Sequence, residues 1–194
     1  MNKPDGRCES CGIEVPDYDL VLLSLRNRHQ FHCSRCFNGI MAGAYGCEFE
    51  HPVFNPVSLT DLDGVSHDFH FRTLLFPTHV SIEALEMTGD GPGGYEFEVA
   101  GPHDEDICGL FDRLLEKMNK ALSTRHLETD GAARWITSQG IVRGRIAWDE
   151  RTDGRMPRLV IDGKSLRWKD FGRMVTAFKG SNFKFEIFGR SETR

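Results

Sequence analysis

The chain has 194 residues, 39% of them hydrophobic and 27% charged, with six cysteines and a net charge of −5. This composition suits a globular protein with room for one domain, or for a small module plus a domain, and excludes the disordered and fibrous classes. The longest aliphatic run, Leu20 to Leu25, is far too short to span a bilayer, and the N-terminus lacks the apolar stretch of a secretory signal, so a soluble cytoplasmic protein with reduced thiols and no membrane contact is expected.

Four of the cysteines form two pairs, Cys8-x-x-Cys11 and Cys33-x-x-Cys36, separated by 21 residues. Each C-x-x-C turn sets two sulfurs on one side of a tight loop, and two such turns complete a tetrahedron of thiolates. Gly12 suits a turn that needs a positive φ. Leu20–Leu25 reads as a strand, Arg26–His29 as a polar turn and Gln30–His32 as a returning strand, and Phe37 to Ala42 begins a short helix. The expected ligands of a structural zinc ion are therefore Cys8, Cys11, Cys33 and Cys36, with His29, His32 or Cys47 as alternatives to one sulfur. Four thiolates leave no open position for water, so the site is expected to stabilise and not to catalyse. A redox C-x-x-C would lie near a βαβ pattern, which neither pair does, and disulfides would need an oxidising compartment. Cys47 and Cys108 read as small apolar residues in a core or interface. A cysteine knuckle, a hairpin and a second pair at a helix start resemble the treble-clef and zinc-ribbon modules over residues 7–46. That resemblance implies a scaffold that binds protein or nucleic acid.

Residues 49–66 contain two prolines and no sustained period, and read as a linker between a module at 1–48 and a domain at 67–194. Beyond it, strands are expected over His67–Phe76, His79–Glu86 and Gly94–Val99, with the turn-rich TGDGPGG between the last two. Ile107, Leu110, Leu114, Met118 and Leu122 recur at helical spacing and predict a helix from about Asp104 to His126. After a loop near Thr129-Asp130-Gly131, two further strands are expected at Ile141–Trp148 and Arg158–Asp162, and Asp162-Gly163 is a hairpin signal. Leu166–Lys179 reads as a second helix with Trp168, Phe171, Val175 and Phe178 inward, and Phe183, Phe185 and Ile187 as a final strand. The fold class is α+β: the cysteine module, then a mixed, mostly antiparallel domain with two helices. The stretch VIDGKSLRWKDFGRMVTAFKGSNFKFEIF resembles a group of uncharacterised bacterial proteins marked by a hairpin turn, a Trp-bearing helix and a short strand. The resemblance supports the division into domains and implies no activity.

Chemistry beyond the cysteines is sparse. His67, Asp68 and His70 could form a base and its partner in a hydrolase-like enzyme, but no nucleophile motif accompanies them. The charge is asymmetric: residues 1–110 hold 6 Lys/Arg against 18 Asp/Glu, and residues 111–194 hold 18 against 11, giving −12 and +7. The basic half offers Arg143, Arg145, Arg158, Lys164, Arg167, Lys169 and Arg173 as a phosphate-binding stripe, diluted by interleaved acids. The expected function is a non-catalytic zinc-binding adaptor or accessory protein for a protein partner. Nucleic-acid binding through residues 143–173 and a hydrolase are the alternatives.

Overall fold

A computed structural model of the chain describes residues 6–25, 28–89, 91–131 and 133–192. The described residues are mixed α+β, with three α-helices and antiparallel sheets, as the sequence pattern predicts. The hairpin β1 (Leu20–Leu25) and β2 (Arg28–Cys33) leads directly into α1 (Ser34–Tyr45). Arg26 and Asn27 of the expected polar turn lie outside the described residues, and Arg28 and His29 belong to β2.

The main sheet has four antiparallel strands in chain order, β3 (Val57–Thr60), β4 (Ser66–Leu75), β5 (Val80–Thr88) and β6 (Gly91–Gly101). The stretch expected as a linker thus carries the edge strand β3. Alternation along the strands sorts the side chains between two faces. Phe69, Phe71, Ile82, Ala84, Phe97 and Val99 share one face through the registers Phe71↔Ala84, Thr73↔Ile82, Ile82↔Val99 and Ala84↔Phe97. Helix α2 (Ile107–Leu122) covers that face, burying Leu110, Leu114, Met118 and Leu122. Burial of each such side chain stabilises the fold by about 1.5–3 kcal/mol. The opposite face is polar: Arg72 pairs with Glu83, and Arg190, near the end of the chain, crosses it to Glu83, Glu96 and Glu98.

Helix α2 covers its apolar stripe but is shorter than the expected Asp104–His126. Asp106 caps it, accepting from the backbone N–H of Cys108 (3.2 Å) and Gly109 (3.1 Å), so Asp104 and Glu105 stay outside. At the other end the hydroxyls of Ser123 and Thr124 donate back to the Lys120 carbonyl, an arrangement that competes with continuation of the helix.

The remainder forms a second, smaller core of Leu127, Ile136, Leu159, Ile161 and Leu166. The hairpin β7 (Leu127–Asp130) and β8 (Ala133–Ile136) supplies one wall. The three-stranded sheet of β9 (Arg145–Ala147), β10 (Arg158–Ile161) and β11 (Lys164–Arg167) supplies another. The helix expected over Leu166–Lys179, α3, spans only Trp168–Val175, followed by a short 3-10 turn, because the Asp162-Gly163 hairpin claims Lys164–Arg167 for β11. Asp162 (φ 50°) and Gly163 (φ 67°) adopt the left-handed pair that such a two-residue turn requires. Three expectations fail here. The strand over Ile141–Trp148 shrinks to Arg145–Ala147; Trp168, Val175 and Phe178 face solvent; and Phe183–Ile187 belongs to no sheet.

The cysteine module is not a detached bead. Phe37, Met41 and Ala42 of α1 belong to the same core as the main sheet and α2. Beyond the end of β3 the edge of β4 would be bare, and Asn38 closes it. Its side-chain amide donates to the Thr73 carbonyl (2.9 Å) and accepts from the Leu75 N–H (2.8 Å), as a neighbouring strand would. Asn38 is only 1% exposed, so these bonds form away from water.

Candidate metal centre and adjoining cleft

The first cysteine pair sits on a knuckle built by local backbone bonds: the Gly12 N–H donates to the Cys8 carbonyl (2.8 Å) and the Cys8 N–H to the Ile13 carbonyl (3.0 Å). Glu9 ties this knuckle to β2, its N–H reaching the Phe31 carbonyl and its carboxylate accepting from the Phe31 N–H, both at 2.8 Å. Cys33 ends β2 and caps α1, and Cys36 lies in the first turn of that helix. The four sulfurs of Cys8, Cys11, Cys33 and Cys36 all lie within 4.8 Å of one another. Sulfurs about 2.3 Å from a tetrahedral ion would be separated by roughly 3.8 Å, so the cluster has the dimensions to hold a metal ion.

The alternative ligands do not join the cluster. His32 is buried with Nδ1 on the Ser10 hydroxyl (2.9 Å), and His29 bonds the Ser24 hydroxyl (2.9 Å). Cys47 packs at the margin of the main core, and Cys108 is exposed at the start of α2 instead of buried. None of the four clustered cysteines is in a disulfide. Burial pushes the Cys8 thiol up, but the N–H groups of Cys11, Cys33 and Ser10 outweigh that and bring it down to about 6. Burial, reinforced by neighbouring sulfurs, pushes Cys36 up; burial also raises Cys33.

Beside the cluster lies a cleft of about 380 Å³ between the module, residues 51–56 and β4. Ile13, Val15, Val53, Phe54 and Phe71 give it apolar walls. Phe54 is fixed by stacking on Phe111 (4.0 Å between centroids). Tyr18 meets His70 through a 2.9 Å hydrogen bond, and Asn38 donates to Nδ1 of His51 (2.9 Å). Arg35 and Asp19 line the same cleft on either side of His51 electrostatically: burial and Arg35 lower the His51 pKa, and Asp19 opposes them. The cleft as a whole had no local signature in the sequence, because it is assembled from four separate stretches, 11–19, 33–36, 51–56 and 70–73.

The histidines and acids of the hydrolase alternative are not brought together. His67 points to the core face and is held between Glu86 (2.7 Å) and Asp61 (3.1 Å). Asp68 and His70 occupy the opposite face, engaged by Ser58 and Tyr18. Burial lowers the His67 pKa, but its two carboxylate partners more than offset that, and the net shift is upward. Both partners escaped sequence reading, since Asp61 lies in a turn and Glu86 meets His67 only across the sheet.

Of the seven basic candidates, four are tied to carboxylates within the chain. Arg145 pairs with Glu96 (2.7 Å), Arg158 with buried Asp149 (2.9 Å), and Arg167 and Arg173 both with Asp170. Lys164 lies near Asp61, Asp63 and Asp162, while Arg143 and Lys169 complete the set on the same stretch of chain.

A four-cysteine cluster of metal-binding dimensions, set at the margin of an α+β body, defines the class of the protein. Residues 50–123 match the model of a family described as a domain of unknown function, DUF7686, and residues 126–192 match a second such family, DUF7713. The two matches meet where the two hydrophobic cores meet. Comparison with curated proteins and with solved structures returns no significant match. Among the described residues, no helix is long and apolar enough to cross a membrane.

Proposed function

We propose that this protein is a non-catalytic, zinc-stabilised accessory protein that binds a partner protein through the cleft beside the metal cluster. The observation that carries the reading is the cleft itself, with apolar walls and with Arg35 and Asp19 among its lining. An apolar segment of a partner, with polar groups to meet those two charges, suits such a site. Soft thiolates in a tetrahedral set favour zinc, and a knuckle, a hairpin and a pair at a helix start follow the treble-clef pattern. Four thiolates satisfy the ion and leave it no position for substrate, which supports a structural role.

Two measurements test this. Native mass spectrometry of purified protein is expected to show one zinc per chain, lost in Cys33→Ser. Panning a displayed peptide library against the zinc-loaded protein should enrich segments with a large apolar side chain. Their binding should disappear in Val53→Glu, a change at a cleft residue that is largely solvent-facing and outside the core. Peptides that bind Val53→Glu as well as the parent would overturn the assignment of the cleft.

A further inference from the structure

The segment Ser181–Phe188, SNFKFEIF, has the two-residue period of a half-buried strand but belongs to no sheet. Phe183, Phe185 and Ile187 are 90%, 63% and 72% exposed. The segment is nonetheless held at both ends. The Ser181 N–H donates to the Phe178 carbonyl (3.0 Å). At the far end Arg190 pairs with Glu83, Glu96 and Glu98, and the Lys117 ammonium donates to the carbonyls of Arg190 (2.6 Å) and Glu192 (3.0 Å). Between those anchors the chain presents a row of large apolar side chains to water, next to the solvent-facing Val175 and Phe178.

We infer that this segment is a self-pairing strand, and that its partner is the same segment of a second copy, antiparallel about a two-fold axis through Phe185. The sequence specifies that register. With Phe185 opposite Phe185 of the second copy, Phe183 faces Ile187 and Lys184 faces Glu186, twice over by symmetry. Phe183, Phe185 and Ile187 then share one face, and both charge pairs share the other, flanked by Asn182 opposite Phe188. Sliding the axis to Lys184 or Glu186 opposes like charges, and a parallel in-register pairing does so at both positions. Within one chain Lys184 and Glu186 already lie side by side, with 2.6 Å between their charged atoms, so exchange to the second copy keeps each charge paired.

Full-length, zinc-loaded protein in analytical ultracentrifugation should sediment at twice the 22.0 kDa chain mass and dissociate on dilution. Phe185→Asp should sediment as a monomer with an unchanged circular dichroism spectrum. Lys184→Glu and Glu186→Lys should each weaken the dimer by about tenfold or more, because like charges then face each other twice. Mixing these two variants sets an all-acidic strand against an all-basic one and should restore the complex as a heterodimer. A monomeric parent, or a dimer indifferent to Phe185→Asp, would overturn self-pairing. Weakening by the single charge variants without recovery on mixing would overturn the register.

Discussion

His67 shows how one side chain can fasten a sheet and also set a pH limit. Its ring bridges the turn before β4, through Asp61, to β5, through Glu86, and the Glu86 carboxylate also accepts from the Tyr95 N–H (2.6 Å). Its pKa in the fold is raised above the ordinary 6.5, so its contribution is complete below that pH and is lost as pH climbs through the folded value. Asp61 is shifted the other way: burial raises it, but N–H bonds from Val65 and Asp63 and the pairing with His67 prevail. Its contribution is therefore present above 3.8 and fades as pH falls through the lower folded value. We expect the melting temperature to decline on the alkaline side of neutrality. His67→Gln should flatten that decline and cost about 1–3 kcal/mol at pH 6, read by denaturant unfolding at a series of pH values. At this scale the cysteine cluster was legible because a C-x-x-C pair is a local pattern. The cage around His67 was not, since Glu86 lies 19 residues away and arrives only through strand register.

The elements follow their periodicity wherever one apolar stripe meets one face, as α2 does. Leu114 is fully buried there, and Leu114→Ala should cost about 2–5 kcal/mol in chemical denaturation. Where two local signals compete, the period alone misleads. Leu166 fits a helix stripe and also the strand that follows Asp162-Gly163, and the turn wins because it places Leu166 in the second core. Tyr95 reinforces the outcome: its ring lies so close over Gly163 that an added Cβ would sit 2.7 Å from it. Asp162 fixes the same turn from the other side, accepting from the N–H groups of His126 (2.9 Å) and Leu127 (2.8 Å). The docking of α1 on β4 was invisible in the sequence, because nothing local marks an asparagine that stands in for a strand. Asn38→Ala strands a buried carbonyl and a buried N–H, and we expect a loss of about 3 kcal/mol, seen as a lower denaturant midpoint with an unchanged slope.

For the whole molecule, the shared core makes metal loading a global property. Sequence reading placed a boundary at residue 48, but Phe37 and Met41 pack with Phe76, Leu110 and their neighbours in one cluster. Stripping the metal with a chelator should therefore lower one cooperative melting transition, with no separate early transition for residues 7–46, as calorimetry would show. The −12 and +7 halves meet in the Arg190 and Arg145 pairs on the acidic strands β5 and β6, which uses much of the asymmetry internally. Accordingly, fluorescence anisotropy with labelled DNA and RNA at low salt should show no complex that weakens steeply as salt is added. Asn38 also imposes an order of events. The four cysteines span residues 8 to 36 and need nothing later in the chain to close around an ion, whereas the socket for Asn38 includes Leu75, 37 positions further on. The four cysteines are therefore made before β4 leaves the ribosome, while the core that α1 shares with β4 is not yet there to pack on. An ion bound by the cluster at that stage would hold the first turn of α1 in place, with Asn38 and the shared core closing only once β4 is laid against them.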